Sequence, residues 1–302
     1  MRTPPYLIKG DLIALAAPAR RIDESIVDQA VRFINSEGFE VKVDQEVFST
    51  QNQFAGNDSG RRNHFQALLD NPQVKAIMCL RGGYGSVRII DLLDFNSFTK
   101  APKWIAGFSD ITVFHMHLLS HFQVESLHCT MPVVFNQVSE LSLHTLFNTL
   151  EGRPLQYSIN SHPLNRRGKT QGVLFGGNLS ILYNLLSSNS FPDPTGMILF
   201  IEDVDEYLYH IDRMMVALKR AGVLSKLAGL VVGGFTEMRD NQTAFGKTAE
   251  DIVYEHVNDY HFPVCFGFPA GHINENLALV MGREMLLDVE KTTVRFTQLN
   301  HS

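Results

Sequence analysis

The 302-residue chain has three cysteines, one tryptophan and no strong excess of either charge. Each of these scarcities excludes something. Cys79, Cys129 and Cys265 are odd in number, far apart and set among apolar neighbours. This excludes a disulfide framework and the clustered ligands of a zinc site, and it fits three small buried hydrophobes in a reducing compartment. The net charge is −6, with acids and bases mixed along the chain. No basic stripe is present, so nucleic-acid binding has no electrostatic support. No apolar run approaches the ~20 residues of a membrane span. Residues 12–19 (LIALAAPA) resemble a signal-peptide core but are short and follow Asp11 directly, which favours a first β-strand entering a loop. No internal repeat or low-complexity tract is visible. The chain reads as soluble and cytoplasmic.

Hydrophobic residues make up 44% of the sequence and charged residues 19%, enough to build a sizeable core, and the length admits two domains. In the first half, apolar runs at 11–17, 75–80 and 104–107 read as buried strands. The helical spacing of Ile26, Val27, Ala30, Val31, Phe33 and Ile34 predicts a helix stopped by Gly38. Residues 39–43 alternate as a strand. Further helices are expected up to Leu69, over 86–93 and over 111–121. Strands alternating with helices imply βαβ units and a mainly parallel sheet. Residues 151–169 are polar, carry two prolines and show no apolar period, so they read as an interdomain connection. The expected division is 1–150, a linker over 151–170, and 171–302. The second half opens with a loop into a helix over 172–188. Strands are expected at 197–201 and 227–235, with a helix over 210–221 between them. Short strands follow at 264–268, 278–281, 285–289 and 293–296. The fold class is therefore α/β: an N-terminal parallel-sheet domain and a smaller, β-richer C-terminal α/β domain.

Four segments carry possible chemistry. In Gly107-Phe108-Ser109-Asp110 an apolar strand runs straight into Gly-x-Ser and a helix begins at once. Such a turn thrusts a serine out at the carboxyl edge of a sheet, with amides at the helix start to receive an oxyanion. The same residues also suit a plain helix N-cap, and Ile111 stands where a full Gly-x-Ser-x-Gly would have glycine. Arg81-Gly82-Gly83-Tyr84-Gly85-Ser86 likewise follows a strand and precedes a helix. Its amides can form an anion-binding nest or simply a tight turn, and it lacks the ending of a phosphate loop. Both loops lie at strand carboxyl ends, where open α/β sheets bind ligands. Glu202 abuts an apolar strand and is expected to be fixed, whereas Asp205 and Glu206 suit an acidic helix start. Finally, His272 is held between Gly271 and Ile273 in a polar loop. His115, His117, His121, His210 and His256 fall on predicted helices as surface or packing residues, and His128 and His162 are left unassigned.

Taken together and in order, these segments resemble the LD-carboxypeptidases, or muramoyl-tetrapeptide carboxypeptidases, a family of serine peptidases. The likeness also includes Ala17-Pro18-Ala19, Phe175-Gly176-Gly177-Asn178-Leu179 and Gly233-Gly234-Phe235, and it spans nearly the whole chain. The resemblance implies two domains with the active site in the cleft between them. It implies Ser109 as nucleophile, Glu202 as acid and His272 as base, with the oxyanion held by amides of Asp110 and the Gly82-Gly83 loop. No metal or cofactor is implied. The substrate would be a cell-wall tetrapeptide or muropeptide cut between L-lysine or diaminopimelate and a terminal D-alanine. Asp203 and Glu206 are candidates to meet the diamino acid's ammonium. Members are commonly homodimers. Two other readings compete. One is a self-immunity peptidase of the same family acting on a peptidyl-nucleotide antibiotic, disfavoured because the one tryptophan, Trp104, lies on a core strand. The other is a non-catalytic module gripping a peptide or anion.

Overall fold

A computed structural model describes residues 1–299; the last three residues of the expected 171–302 span lie outside the described residues. The first half contributes strands β1 (Leu12–Ala16), β2 (Glu40–Lys42), β3 (Val74–Cys79), β4 (Trp104–Gly107) and β5 (Ser126–His128). Its helices are α1 (Glu24–Ser36), α2 (Asp58–Asp70), α3 (Asn96–Lys100), α4 (Thr112–Phe122) and α5 (Glu140–Leu150). The second half holds β6 (Gln156–Asn160), β7 (Gly168–Asn178), β8 (Ile198–Val204), β9 (Gly229–Thr236), β10 (Val264–Cys265), β11 (Leu279–Met281), β12 (Glu284–Val289) and β13 (Thr293–Gln298). Its helices are α6 (Leu179–Leu185), α7 (Leu208–Arg220), α8 (Val223–Lys226) and α9 (Ala249–Val257).

Two mixed sheets result, in the order β11-β5-β4-β3-β1-β2 and β10-β9-β8-β7-β12-β13-β6. In the first, β1 to β5 are parallel and β11 joins antiparallel to β5, pairing Leu279 with His128. In the second, β7 to β10 are parallel and β12, β13 and β6 form an antiparallel meander. The architecture is thus two-domain α/β, with two departures from the sequence reading. The polar segment over 151–170 is not a free linker. Tyr157 and Ile159 alternate with Gln156, Ser158 and Asn160 to make edge strand β6 on β13, and Leu155 and Tyr157 are buried. One apolar face is enough for an edge strand, so the period was too short and too polar to read. The second departure is β11, by which the C-terminal half completes the first sheet.

Buried contacts lock the halves together. Helix α4 is apolar nearly all round, with every residue from Thr112 to Leu119 buried, because it is covered from both sides. The Asn178 N–H donates to Thr112 Oγ1 at 3.1 Å, and a Cβ on Gly177 would sit 2.4 Å from that oxygen. Below it, Arg283 Nε donates to Glu125 Oε1 at 3.0 Å, and a second guanidinium nitrogen reaches Oε2; both side chains are buried. Breaking a buried ion pair from one side costs about 3–5 kcal/mol. Arg283→Ala is therefore expected to lower the denaturation free energy by about that amount in a urea titration, and a loss under about 1 kcal/mol would contradict this assignment.

Candidate active site

The site is assembled where carboxyl ends of strands from both sheets meet. Strand β4 ends at Gly107, and Ser109 then takes a left-handed backbone, φ +63°. That conformation is costly for a residue with a side chain and is kept only where the surroundings enforce it. Here they do. A Cβ on Gly107, itself at φ +154°, would lie 2.9 Å from Ile111 and 3.2 Å from Cys79. The turn sharpens the exit from β4 and sets Ser109, half-buried, on the cleft wall.

The glycine loop is pressed against this turn. A Cβ on Gly82 would stand 2.9 Å from Ser109 Cβ and 3.0 Å from its Oγ. Any larger residue would cover the hydroxyl, which accounts for glycine there. Among the described residues, neither the Gly82 nor the Gly83 N–H is taken by a protein acceptor. Two side chains hold the loop. Asp110, buried, accepts from the Ser86 N–H at 2.8 Å, and burial raises its carboxyl above the usual range. Arg61, also buried, donates to the Gly85 carbonyl at 3.0 Å and to the Pro18 carbonyl. The Asp110 carboxylate is thus a tie between loops, beside whatever its amide does.

Across the cleft, Glu202 lies within the end of β8 and is fully buried. Its Oε2 accepts from His272 Nδ1 at 2.6 Å and from the His272 backbone N–H at 3.2 Å. Nδ1 is therefore the protonated nitrogen of a neutral ring, and Nε2 keeps its lone pair. Burial pulls the His272 pKa down, but the Glu202 carboxylate, backed by Asp203 and Glu237, outweighs it, so the net direction is upward. The ring leans on Phe108, centroids 4.7 Å apart.

The loop bearing His272 is fitted closely to β8 and β9. A Cβ on Gly271, at φ +108°, would stand 2.7 Å from Glu202 Cβ. A Cβ on Gly233 would stand 2.5 Å from the Ala270 carbonyl. The Gly271 N–H donates to Asn276 Oδ1 at 2.8 Å, and Thr236 Oγ1 donates to the His272 carbonyl at 2.9 Å. Gly271→Ala should therefore push His272 off Glu202. A loss of about 10²-fold in turnover is expected, from misplacement of about an ångström. A crystal structure of that variant with the 2.6 Å contact intact would contradict this account.

The remaining acids are already engaged. Asp203 accepts from Asn178 Nδ2, the Ser180 N–H and the Val204 N–H, each at 2.9 Å, and burial with the adjacent Glu202 pushes its carboxyl up to about 7. Glu206 is bonded to His210 at 2.6 Å, and Asp205 pairs with Arg239. This weakens the reading of Asp203 and Glu206 as ammonium receptors. His115 and His117 are buried packing residues, bonded to Ser126 and Ser190, while His256 pairs with Asp212. His128 is buried behind the site with its ring 5.0 Å from that of Phe200, and burial holds it neutral. His162 Nδ1 accepts from the Leu164 N–H at 3.2 Å.

Ser109, Gly82, Gly83, Asp110 and His272 all line one cleft of about 490 Å³, with Glu202 directly behind His272. Among the described residues, no group of three or more His, Cys, Asp or Glu is placed to hold a metal ion, and no helix is long and apolar enough to cross a membrane. Arg20, Arg61 and Asn276 are not among the sequence candidates, and Asn178 enters there only within the Phe175–Leu179 likeness; in the structure Arg20 and Asn178 line the cleft, and Arg61 and Asn276 hold its loops.

Residues 13–129 match the LD-carboxypeptidase N-terminal domain and residues 171–287 the LD-carboxypeptidase C-terminal domain. A probable murein peptide carboxypeptidase of Bacillus subtilis is 31% identical over 297 residues, covering 96% of this chain and 93% of that protein. A murein tetrapeptide carboxypeptidase of Pseudomonas aeruginosa is 27% identical, covering 91% and 92%. The crystal structure of a muramoyltetrapeptide carboxypeptidase from Oxalobacter formigenes superposes with a TM-score of 0.87 at 29% identity, covering 96% of this chain and 99% of that one.

Proposed function

The chain belongs to the LD-carboxypeptidase family, and from that premise we propose that it is a serine carboxypeptidase that removes the terminal D-alanine from cell-wall tetrapeptides, in cell-wall recycling. The observation that carries this reading is one cleft lined both by Ser109, on a strained turn, and by a histidine already held by a buried carboxylate. In this mechanism His272 Nε2 takes the Ser109 proton as the hydroxyl attacks the carbonyl before the D-residue. Glu202 fixes the tautomer and stabilises the imidazolium. The oxyanion is received by the N–H groups of Asp110 and the Gly82-Gly83 loop. His272 then protonates the leaving amine, and water, deprotonated by the same imidazole, releases the shortened peptide from Ser109.

The test is purified protein with a tetrapeptide ending in L-lysyl-D-alanine or diaminopimelyl-D-alanine, with D-alanine release followed by a coupled oxidase assay. Release from these, and not from the all-L peptide, supports the reading; inertness toward both defeats it. The self-immunity alternative receives no support from tryptophan: Trp104 is fully buried in β4 and stacked with Tyr6, away from the cleft. We further propose a cytoplasmic protein that works as a homodimer.

A further inference from the structure

The cleft has two cations that the chemistry above does not use. Arg20 follows the end of β1 and Arg81 the end of β3, and both line the cleft on the side of Ser109. Both are placed by the loops that shape the nucleophile's surroundings. The Arg20 stem lies on the glycine loop so closely that a Cβ on Gly83 would stand 2.5 Å from its Cδ. Arg81 directly precedes Gly82, whose own Cβ would press on Ser109. One Arg81 terminal nitrogen donates to the Arg21 carbonyl at 3.0 Å, while its Nε is buried with no partner. Among the described residues, neither guanidinium forms an ion pair with a carboxylate. Two like charges are thus gathered at one end of a cleft with hydrogen-bonding capacity unspent. The acids that line the same cleft are already engaged within the protein: Asp205 pairs with Arg239, Glu206 is hydrogen-bonded to His210, and Asp203 accepts from Asn178, Ser180 and Val204. The positive end is the one that calls for an anion from outside.

Which anion follows from bond connectivity. In the last residue of a peptide, only the C–N, N–Cα and Cα–C bonds separate the carbonyl carbon under attack from the terminal carboxylate. A cation serving that carboxylate must therefore sit within a side chain's reach of the nucleophile and oxyanion loop, as these two do. Guanidinium groups match a carboxylate's two oxygens with paired N–H donors. We propose that Arg20 and Arg81 form the subsite for the free α-carboxylate of the departing D-residue, and so confine the enzyme to the last bond of a chain with an unblocked carboxyl terminus. This deepens the function proposed above and rests on it.

The experiment compares a tetrapeptide ending in L-lysyl-D-alanine with the same peptide ending in D-alaninamide, for the wild type, Arg20→Ala, Arg81→Ala, Arg81→Lys and the double alanine variant. The readout is the ratio of kcat/KM for acid over amide. The wild type should prefer the acid by at least about 30-fold, as expected when a charge-assisted contact is lost. The preference should fall about tenfold in each alanine variant, collapse toward unity in the double variant, and be partly restored by lysine at position 81. An equal loss on acid and amide would make the arginines structural and overturn the proposal. A loss seen only with a diaminopimelate-containing peptide would assign them to that residue's side-chain carboxylate, and also overturn it. Calorimetric binding of the two lysine peptides to Ser109→Ala separates this from the reading beneath it. If the wild type turns over neither peptide, the peptidase assignment falls, while an arginine-dependent preference for the acid in binding still sustains the subsite. A lack of preference in binding, with turnover intact, sinks the subsite alone.

Discussion

Ser109→Ala should abolish nearly all turnover of a D-alanine-terminated tetrapeptide, lowering kcat by at least about 10³-fold, since nucleophile, base and orienting acid act as one unit. The fold should be untouched. The hydroxyl makes no hydrogen bond within the described protein, and alanine inherits the same left-handed backbone at φ +63°. Ser109→Gly adds a second arm to the experiment. Glycine adopts positive φ without the penalty of about 1 kcal/mol that a Cβ carries there. That variant should be equally inactive, yet at least as resistant to heat as Ser109→Ala. Inactivity with raised or equal melting temperature says that the strain at this turn serves the placement of a reactive hydroxyl. Near-normal turnover in a well-folded Ser109→Ala protein would remove Ser109 from the chemistry, whatever the family.

How much of this was legible beforehand depends on how each residue is buried. The strands of the parallel sheets announce themselves because both faces are covered: Leu12–Ala16, Val74–Cys79 and Ile198–Val204 are nearly continuous apolar runs. Strand β7 does not. Residues 172–178 were expected to be loop, since glycine at 172, 176 and 177 depresses strand propensity. The structure shows why glycine is there. A Cβ on Gly176 would fall 2.0 Å from the Phe200 carbonyl of β8. Tertiary crowding selects the residue, and local propensity reports the opposite. The expected helix over 86–93 is likewise only two short 3-10 turns, Ser86–Arg88 and Ile90–Leu92. At the site, Ser109, Glu202 and His272 each come at or just after an apolar run, a pattern that equally suits a helix cap or a plain loop, and it is the family resemblance that gives the three their roles. Arg61 gave a fainter signal: with His64, Phe65 and Leu68 it occupies the buried stripe of α2, an odd place for a charge. Asn276 and Arg20 have no local signature, because their roles exist only once distant loops meet.

Glu202→Gln carries the other large effect, and pH gives it a signature that simple destabilisation would not. Glutamine can keep one hydrogen bond to the His272 ring but invites the wrong tautomer and removes the charge. A fall in kcat of about 10³- to 10⁴-fold is expected, by the logic of an orienting acid in a serine triad. The pH dependence follows from the direction of the His272 shift. The base is the neutral ring, so kcat/KM must rise as pH passes upward through the His272 pKa and be lost below it. Burial alone would lower that pKa, but Glu202, then Asp203 and Glu237, turn the net shift upward from 6.5. The acid limb of the wild type should therefore lie above pH 6.5, broadened by Asp203, which titrates at about 7 and touches the same charges. Removing the Glu202 charge leaves burial in place and takes away the largest opposing influence. The limb of Glu202→Gln should therefore move to lower pH. A variant with lower turnover but an unmoved limb would mean that the group titrating is not His272. A limb displaced upward would mean that Glu202 does not stabilise the imidazolium, and the assignment of acid and base would have to be abandoned.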